Sequence, residues 1–217
     1  MARVQRLAAL LLTIACVLAP QSARAADGPV KIVVLGDSLS AGYGLPGQDA
    51  FPAKLGVALK AKAIDAEIIN AGVSGDTASG GLGRLDWSVP EGTEAVIVEL
   101  GANDALRGLD PKVTREALDG ILKKLRDRKI AVLLAGMYAP RNMGADYARD
   151  FDGIFPALAA AYGSLYYPFF LDGVASDAKL NQRDGLHPTA AGVDIIVAGI
   201  LPKVEELIAQ AKSARGS

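Results

Sequence analysis

The chain has one cysteine, Cys16, and one histidine, His187, in 217 residues. A single thiol cannot build an intramolecular disulfide framework, so stability has to come from a packed core. Neither sign of charge dominates: 23 Lys and Arg stand against 24 Asp and Glu, a formal net charge of -1. Such a balance gives no sign of nucleic-acid binding. No internal repeat, low-complexity linker or composition shift marks a second domain. The apolar run from Leu7 to Ala19 is too short to span a bilayer comfortably.

That run has another meaning. It follows Arg3 and Arg6 and precedes Ala23-Arg24-Ala25, which puts small residues at the two positions a signal peptidase reads. The expectation is a signal peptide over residues 1–25, cleaved after Ala25, then one domain over residues 26–217 in the periplasm or outside the cell. An uncleaved anchor and a lipoprotein-type cleavage between Ala15 and Cys16 are the weaker alternatives. Cleavage after Ala25 removes Cys16 and three arginines (Arg3, Arg6, Arg24) but no acid, taking the net charge from -1 to -4. The mature chain then has no cysteine, needs no disulfide in an oxidising compartment, and suits a soluble exported protein without stable membrane insertion.

What is present is an ordinary globular composition, 51% hydrophobic and 22% charged. Apolar runs at Lys31–Leu35, Glu67–Asn70, Ala95–Leu100, Ile130–Ala135 and Leu165–Phe169 read as buried strands. Helical patterns lie between them. Phe51, Leu55, Ala58 and Leu59 recur at helical spacing. Asp110-Pro111 is a cap with a first-turn proline, followed by an apolar face of Val113, Ala117, Leu118, Ile121, Leu122 and Leu125. Tyr147, Phe151, Ile154, Phe155, Leu158 and Tyr162 form another face, interrupted by Pro156, and Pro188-Thr189 opens a last helix. The tail from Ala211 to Ser217 is expected to fray. Strand and helix alternating five times argue for an α/β fold, a parallel sheet covered on both faces. Ligands of such sheets bind beyond the carboxyl ends of the strands.

Four features fall at that rim. The first strand ends in Gly36-Asp37-Ser38-Leu39, where a serine meets the start of a helix. Asp37 or Ser38 could simply cap the helix. After the second strand, Gly72 can offer a bare backbone N–H, or can serve a tight turn. After the third, the Asn103 side-chain amide can donate to an oxyanion, or can close an Asx turn. After the fifth come Asp184 and His187 in Asp184-Gly185-Leu186-His187. Serine chemistry needs a base to move the hydroxyl proton and a carboxylate to hold that base. Taken together these residues supply a nucleophile, oxyanion donors, a base and its orienter, a complete set for acyl transfer.

The same blocks, in this order, resemble the SGNH hydrolase superfamily, the GDSL esterases. Gly36-Asp37-Ser38-Leu39, Gly72, Gly101-Ala102-Asn103-Asp104 and Asp184-Gly185-Leu186-His187 carry the resemblance, and the linking segments are similar to its bacterial thioesterase and arylesterase subgroup. The resemblance implies a flavodoxin-like three-layer α/β/α sandwich with a central five-stranded parallel sheet. It implies Ser38 as nucleophile, His187 as base and Asp184 as its orienter. An oxyanion hole is implied from the N–H of Ser38 and Gly72 and the amide of Asn103. No metal and no cofactor is implied. Ala102 departs from the family, where close relatives often carry glycine. Asp104 to Leu109 matches a loop that moves on acyl binding in the subgroup, which implies substrate contacts from Asp104, Leu106 and Leu109. The implied substrate is a small-molecule ester or thioester, with fatty-acyl compounds included. A carbohydrate O-deacetylase of the same superfamily and a non-catalytic ligand-binding protein are the alternatives. Nothing in the sequence distinguishes a monomer from a small homo-oligomer.

Overall fold

A computed structural model of the chain describes residues 28–215. The expected signal peptide, residues 1–25, lies outside the described residues. Five parallel strands form one sheet: β1 (Val30–Gly36), β2 (Ala66–Gly72), β3 (Ala95–Glu99), β4 (Ala131–Ala135) and β5 (Leu165–Tyr167). Their order is β2-β1-β3-β4-β5, the flavodoxin-like order. The central strands are buried on both faces, which is why they read as unbroken apolar runs. The chain runs from β1 outward to β2 on one side, then crosses back past β1 to β3 and continues outward to β4 and β5 on the other. The crevice between β1 and β3 is therefore the place for a ligand.

Eight α-helices complete the layers: α1 (Ser38–Ala41), α2 (Phe51–Ala61), α3 (Ala78–Ser88), α4 (Ala102–Leu106), α5 (Pro111–Asp127), α6 (Ala145–Asp152), α7 (Ile154–Tyr162) and α8 (Ala190–Arg215) among the described residues. α2 packs against α8, while α5 packs against α3 and α7. The start of α5 follows from its sequence: Asp110 accepts from the Lys112 N–H at 2.9 Å and Pro111 stands at the first position. Its buried stripe is Thr114, Ala117, Leu118, Ile121, Leu122 and Leu125. Each buried Leu or Ile contributes about 1.5–3 kcal/mol. Val113, read as part of this face, is instead exposed, and Thr114 takes the inward position with its hydroxyl on Asp104 Oδ1 at 3.0 Å.

The apolar face across Tyr147 to Tyr162 is two helices, divided at Gly153. Pro156 falls in the first turn of α7, where a missing N–H leaves no bond unmade. The tail does not fray from Ala211: α8 continues to Arg215. Ala211 is buried, and the Arg215 guanidinium donates to Glu94 (2.6 Å) and to the carbonyl oxygens of Gly28 (2.9 Å) and Pro29 (3.0 Å). A charge-assisted clamp of this kind outweighs the weak helical preference of a small polar tail.

Candidate active site

β1 stops at Gly36, and Asp37 caps α1 by accepting the Leu39 N–H on Oδ1 at 2.9 Å. The capping role belongs to Asp37, which frees Ser38 to lead the helix. Ser38 is nearly buried, and its backbone N–H has no acceptor among the described residues. Its hydroxyl oxygen lies 2.9 Å from His187 Nε2.

The loop between β5 and α8 brings His187 to the serine. Asp184 Oδ1 accepts the backbone N–H of Leu186 (2.9 Å) and of His187 (3.0 Å), folding the loop back on itself. Asp184 Oδ2 lies 2.7 Å from His187 Nδ1. These donors, the His187 backbone N–H first, pull the Asp184 carboxyl down to about 2. An ionised Asp184 fixes the proton on Nδ1 and leaves Nε2 free to accept from Ser38. The Tyr43 ring covers the imidazole with centroids 4.5 Å apart. Gln182 Nε2 donates to the Tyr43 carbonyl (2.8 Å) and the Pro188 carbonyl (3.0 Å), tying the turn after α1 to the loop that carries His187.

Asn103, on α4, faces the same space. Its Nδ2 donates to Asp37 Oδ2 at 3.0 Å and to the Asp76 carbonyl at 2.9 Å. Both partners are acceptors, so only the amide nitrogen can point toward them. Gly72 stands differently. Its N–H donates to Asn70 Oδ1 at 2.9 Å, and it packs so closely on α1 that a Cβ there would lie 2.5 Å from the Ala41 nitrogen. Gly75 was not singled out from the sequence. It occupies the third position of the turn closed by the Asp76 N–H on the Val73 carbonyl (3.1 Å), with φ +83°, a left-handed conformation that favours glycine. Its own N–H has no acceptor among the described residues. The signal was present in Ser74-Gly75-Asp76, a turn tripeptide beside the residue that holds Asn103.

A buried arginine organises these turns. Arg84 on α3 donates to Asp76 Oδ2 (2.6 Å), the Ala71 carbonyl (2.7 Å), the Gly36 carbonyl (2.8 Å) and Ser88 Oγ (3.0 Å). It thereby joins the ends of β1 and β2 to the turn that carries Gly75.

Ser38, Asn103 and His187 open on a cleft of about 510 Å³. Its walls include Leu39, Leu106, Met137, Phe169, Leu171 and Leu186. Tyr138 stacks on Phe169 along one side, with centroids 4.6 Å apart. Of the three residues expected to touch substrate, only Leu106 lines the cleft. Asp104 is fully buried: Oδ2 accepts the Ala78 N–H at 2.9 Å at the start of α3, and Oδ1 accepts from Thr114. A carboxylate so buried and engaged holds the scaffold and does not face the cleft. Leu109 also lies off the cleft, where its carbonyl accepts from the Tyr147 hydroxyl at 2.9 Å.

A family model described as the GDSL-like lipase/acylhydrolase family matches residues 34–195. The chain belongs to this family. It is similar to esterase TesA of Pseudomonas aeruginosa, 36% identical over 203 residues that cover 92% of this chain and 99% of that protein. Thioesterase 1/protease 1/lysophospholipase L1 of Escherichia coli K12 is 35% identical over 187 residues, 86% of this chain and 87% of that one. Among solved structures, the SGNH-hydrolase family esterase AlinE4 is 50% identical, covers 82% of this chain and 96% of its own, and superposes with a TM-score of 0.70. In this GDSL-like acylhydrolase the eponymous Gly36-Asp37-Ser38-Leu39 block is the β1–α1 turn. Its serine, the α4 asparagine and the histidine before α8 meet at the carboxyl edge of the sheet.

Proposed function

We propose that this protein hydrolyses carboxylic ester and thioester bonds through an acyl-enzyme on Ser38. The observation that carries the reading is the unbroken series Asp184–His187–Ser38, 2.7 Å and 2.9 Å between successive polar atoms, opening on an apolar cleft. His187 Nε2 takes the hydroxyl proton as Ser38 Oγ attacks the acyl carbonyl carbon. The imidazolium then gives that proton to the departing alkoxide or thiolate. Water, activated by the same nitrogen, attacks the acyl-enzyme and releases the carboxylic acid. Asp184 stays ionised throughout and stabilises the charged ring.

Negative charge on the carbonyl oxygen meets the Ser38 N–H, the Asn103 amide and a glycine N–H. Gly75 suits the last role better than Gly72, because Gly72 has already given its N–H to Asn70. The Asp76 carbonyl is a neutral acceptor and yields its hydrogen of Asn103 to the oxyanion, while Asp37 keeps the other. Losing one such donor, as in Asn103→Ala, lowers kcat by roughly a hundred- to thousandfold.

The apolar walls suit a fatty-acyl chain of medium length, in a cleft of ordinary size for a small-molecule ligand. The Tyr138–Phe169 face extends the class to aryl esters. We assign the working form to residues 26–217, exported and freed of its leader, on the pattern of Arg3, Arg6, the apolar run and Ala23-Arg24-Ala25. The test is hydrolysis of p-nitrophenyl esters from acetyl to palmitoyl by this form and by its Ser38→Ala variant. Activity that peaks at medium chains and vanishes with Ser38 is expected. An acetyl maximum would favour a carbohydrate deacetylase, and activity unchanged in the variant would refute the acyl-enzyme.

A further inference from the structure

Two carboxyl groups lie under the nucleophile, and the mechanism above uses neither directly. Glu99 ends β3 directly opposite Gly36 of β1, and its side chain is fully buried. Asp37 is buried beside it. The pair is built into the turn: a Cβ at Gly36 would lie 2.7 Å from Glu99 Oε2 and 2.2 Å from Ser40 Oγ, so the absence of a side chain there makes the room Glu99 occupies.

We infer that Glu99 is a positioning residue for hydrolysis, a protonated and neutral acid that leaves Asp37 as the single anion holding the oxyanion-hole amide of Asn103. The proposal rests on the assignment of Ser38 and Asn103 given above. The quality of the donors, with the depth of burial, decides which acid keeps the proton. Asp37 accepts two good hydrogen bonds, from the Leu39 N–H at 2.9 Å and from Asn103 at 3.0 Å. Glu99 Oε2 accepts from the Asp37 N–H over a long 3.4 Å, the Ser40 N–H and hydroxyl are weaker donors beside it, and Oε1 has no partner among the described residues. A buried carboxylate ion without strong donors is costly, and two adjacent buried anions more so, whereas the neutral acid is far less penalised. Burial first, then the neighbouring Asp37 charge, push Glu99 well above the usual carboxylate range. Burial also pushes Asp37 up to about 6, against the Leu39 and Asn103 donors and the His187 charge that lower it, with Asp104 adding to the rise. The buried Arg84 guanidinium nearby is already spent on the Gly36 carbonyl and the Asp76 turn.

The consequence reaches the chemistry. An anionic Asp37 can only accept, so it fixes one hydrogen of the Asn103 amide and with it the direction of the other. If Glu99 were ionised, the proton would move to Asp37. Its carboxyl could then turn donor and release the amide.

Infrared difference spectra of the full protein, wild type minus Glu99→Gln at neutral pH, test the assignment. A protonated-carboxyl C=O band is expected in the wild type and absent from Glu99→Gln. The glutamine variant, neutral and of the same shape, is expected to keep kcat within about threefold. Glu99→Ala is expected to lower kcat by roughly ten- to hundredfold at nearly unchanged KM, and to add little when Asn103 is already alanine. Absence of the band, a glutamine variant as impaired as the alanine one, or losses in Glu99→Ala and Asn103→Ala that multiply would each overturn the proposal. Should Glu99→Ala fail to fold, the band and the glutamine variant still decide it. The band is read equally well in Ser38→Ala, so a failure of the nucleophile assignment would be distinguishable from a failure of this one.

Discussion

Replacing Arg84 by alanine withdraws one buried guanidinium from four acceptors. One is the Asp76 carboxylate at 2.6 Å, two are the strand-end carbonyls of Ala71 and Gly36 at 2.7 and 2.8 Å, and one is Ser88 Oγ at 3.0 Å. Asp76 is itself mostly buried, its side chain 15% exposed. Removing one partner of such a pair leaves an uncompensated charge and costs about 3–5 kcal/mol. The orphaned carbonyls cost about 1–3 kcal/mol each where water cannot reach them, so the upper end of that range is expected. Lysine restores the charge but not the planar fork, and Arg84→Lys should recover less than about half of the loss. Both variants should also lose kcat where they remain folded, because the turn held by Arg84 includes the Asp76 carbonyl that receives Asn103. The assay is urea unfolding followed by circular dichroism, with kcat measured on the same preparations. Stability of Arg84→Ala within about 1 kcal/mol of wild type, or Arg84→Lys indistinguishable from it, would refute the reasoning.

Asp37→Asn should change how stability depends on pH. The folded-state value of about 6 stands above the ordinary 3.8, so between these values the folded protein holds a proton the unfolded chain has released, and stability falls as pH rises through that window. The asparagine variant should show a smaller fall in urea unfolding measured across it, the part due to buried Glu99 remaining, and should lose kcat because it presents an amide nitrogen to Asn103. Tyr43→Ala should lower kcat/KM by about two- to tenfold through loss of ring contact with His187, while Tyr43→Phe, which keeps the ring, should not. On binding of an alkylphosphonate, the amide resonance of Gly75 should shift strongly in a ¹⁵N–¹H spectrum and that of Gly72 weakly. The reverse would return the oxyanion role to Gly72.

The sheet and the place of Ser38 at its rim were legible because both rest on short-range pattern. Buried parallel strands are continuous apolar runs, and Ser38 follows one of them. His187 was legible because it is the one histidine of the chain, whereas Leu106, which lines the cleft, was reached only through the family resemblance. α3 was not: Gly80, Gly81 and Gly83 depress helical preference, and packing on β1 and α5 overrides it. Choosing between Gly72 and Gly75 needs the turn geometry, since both glycines follow the same strand. Asp104 and Leu106 stand two apart on one helical turn and so point to different surroundings, one inward to Thr114 and one to the cleft. Arg84 gave no warning among small residues. Glu99, an acid closing an otherwise apolar strand, was a signal that went unread.

On the proposed mechanism, Ser38 Oγ, activated by His187, carries the acyl group. The most direct measurement is covalent labelling with a p-nitrophenyl alkylphosphonate, read by intact mass and then by peptide mapping. One phosphonyl group per chain is expected on Ser38, none on Ser38→Ala, and much slower labelling in His187→Ala. Labelling at another residue, or undiminished labelling of Ser38→Ala, would contradict the account.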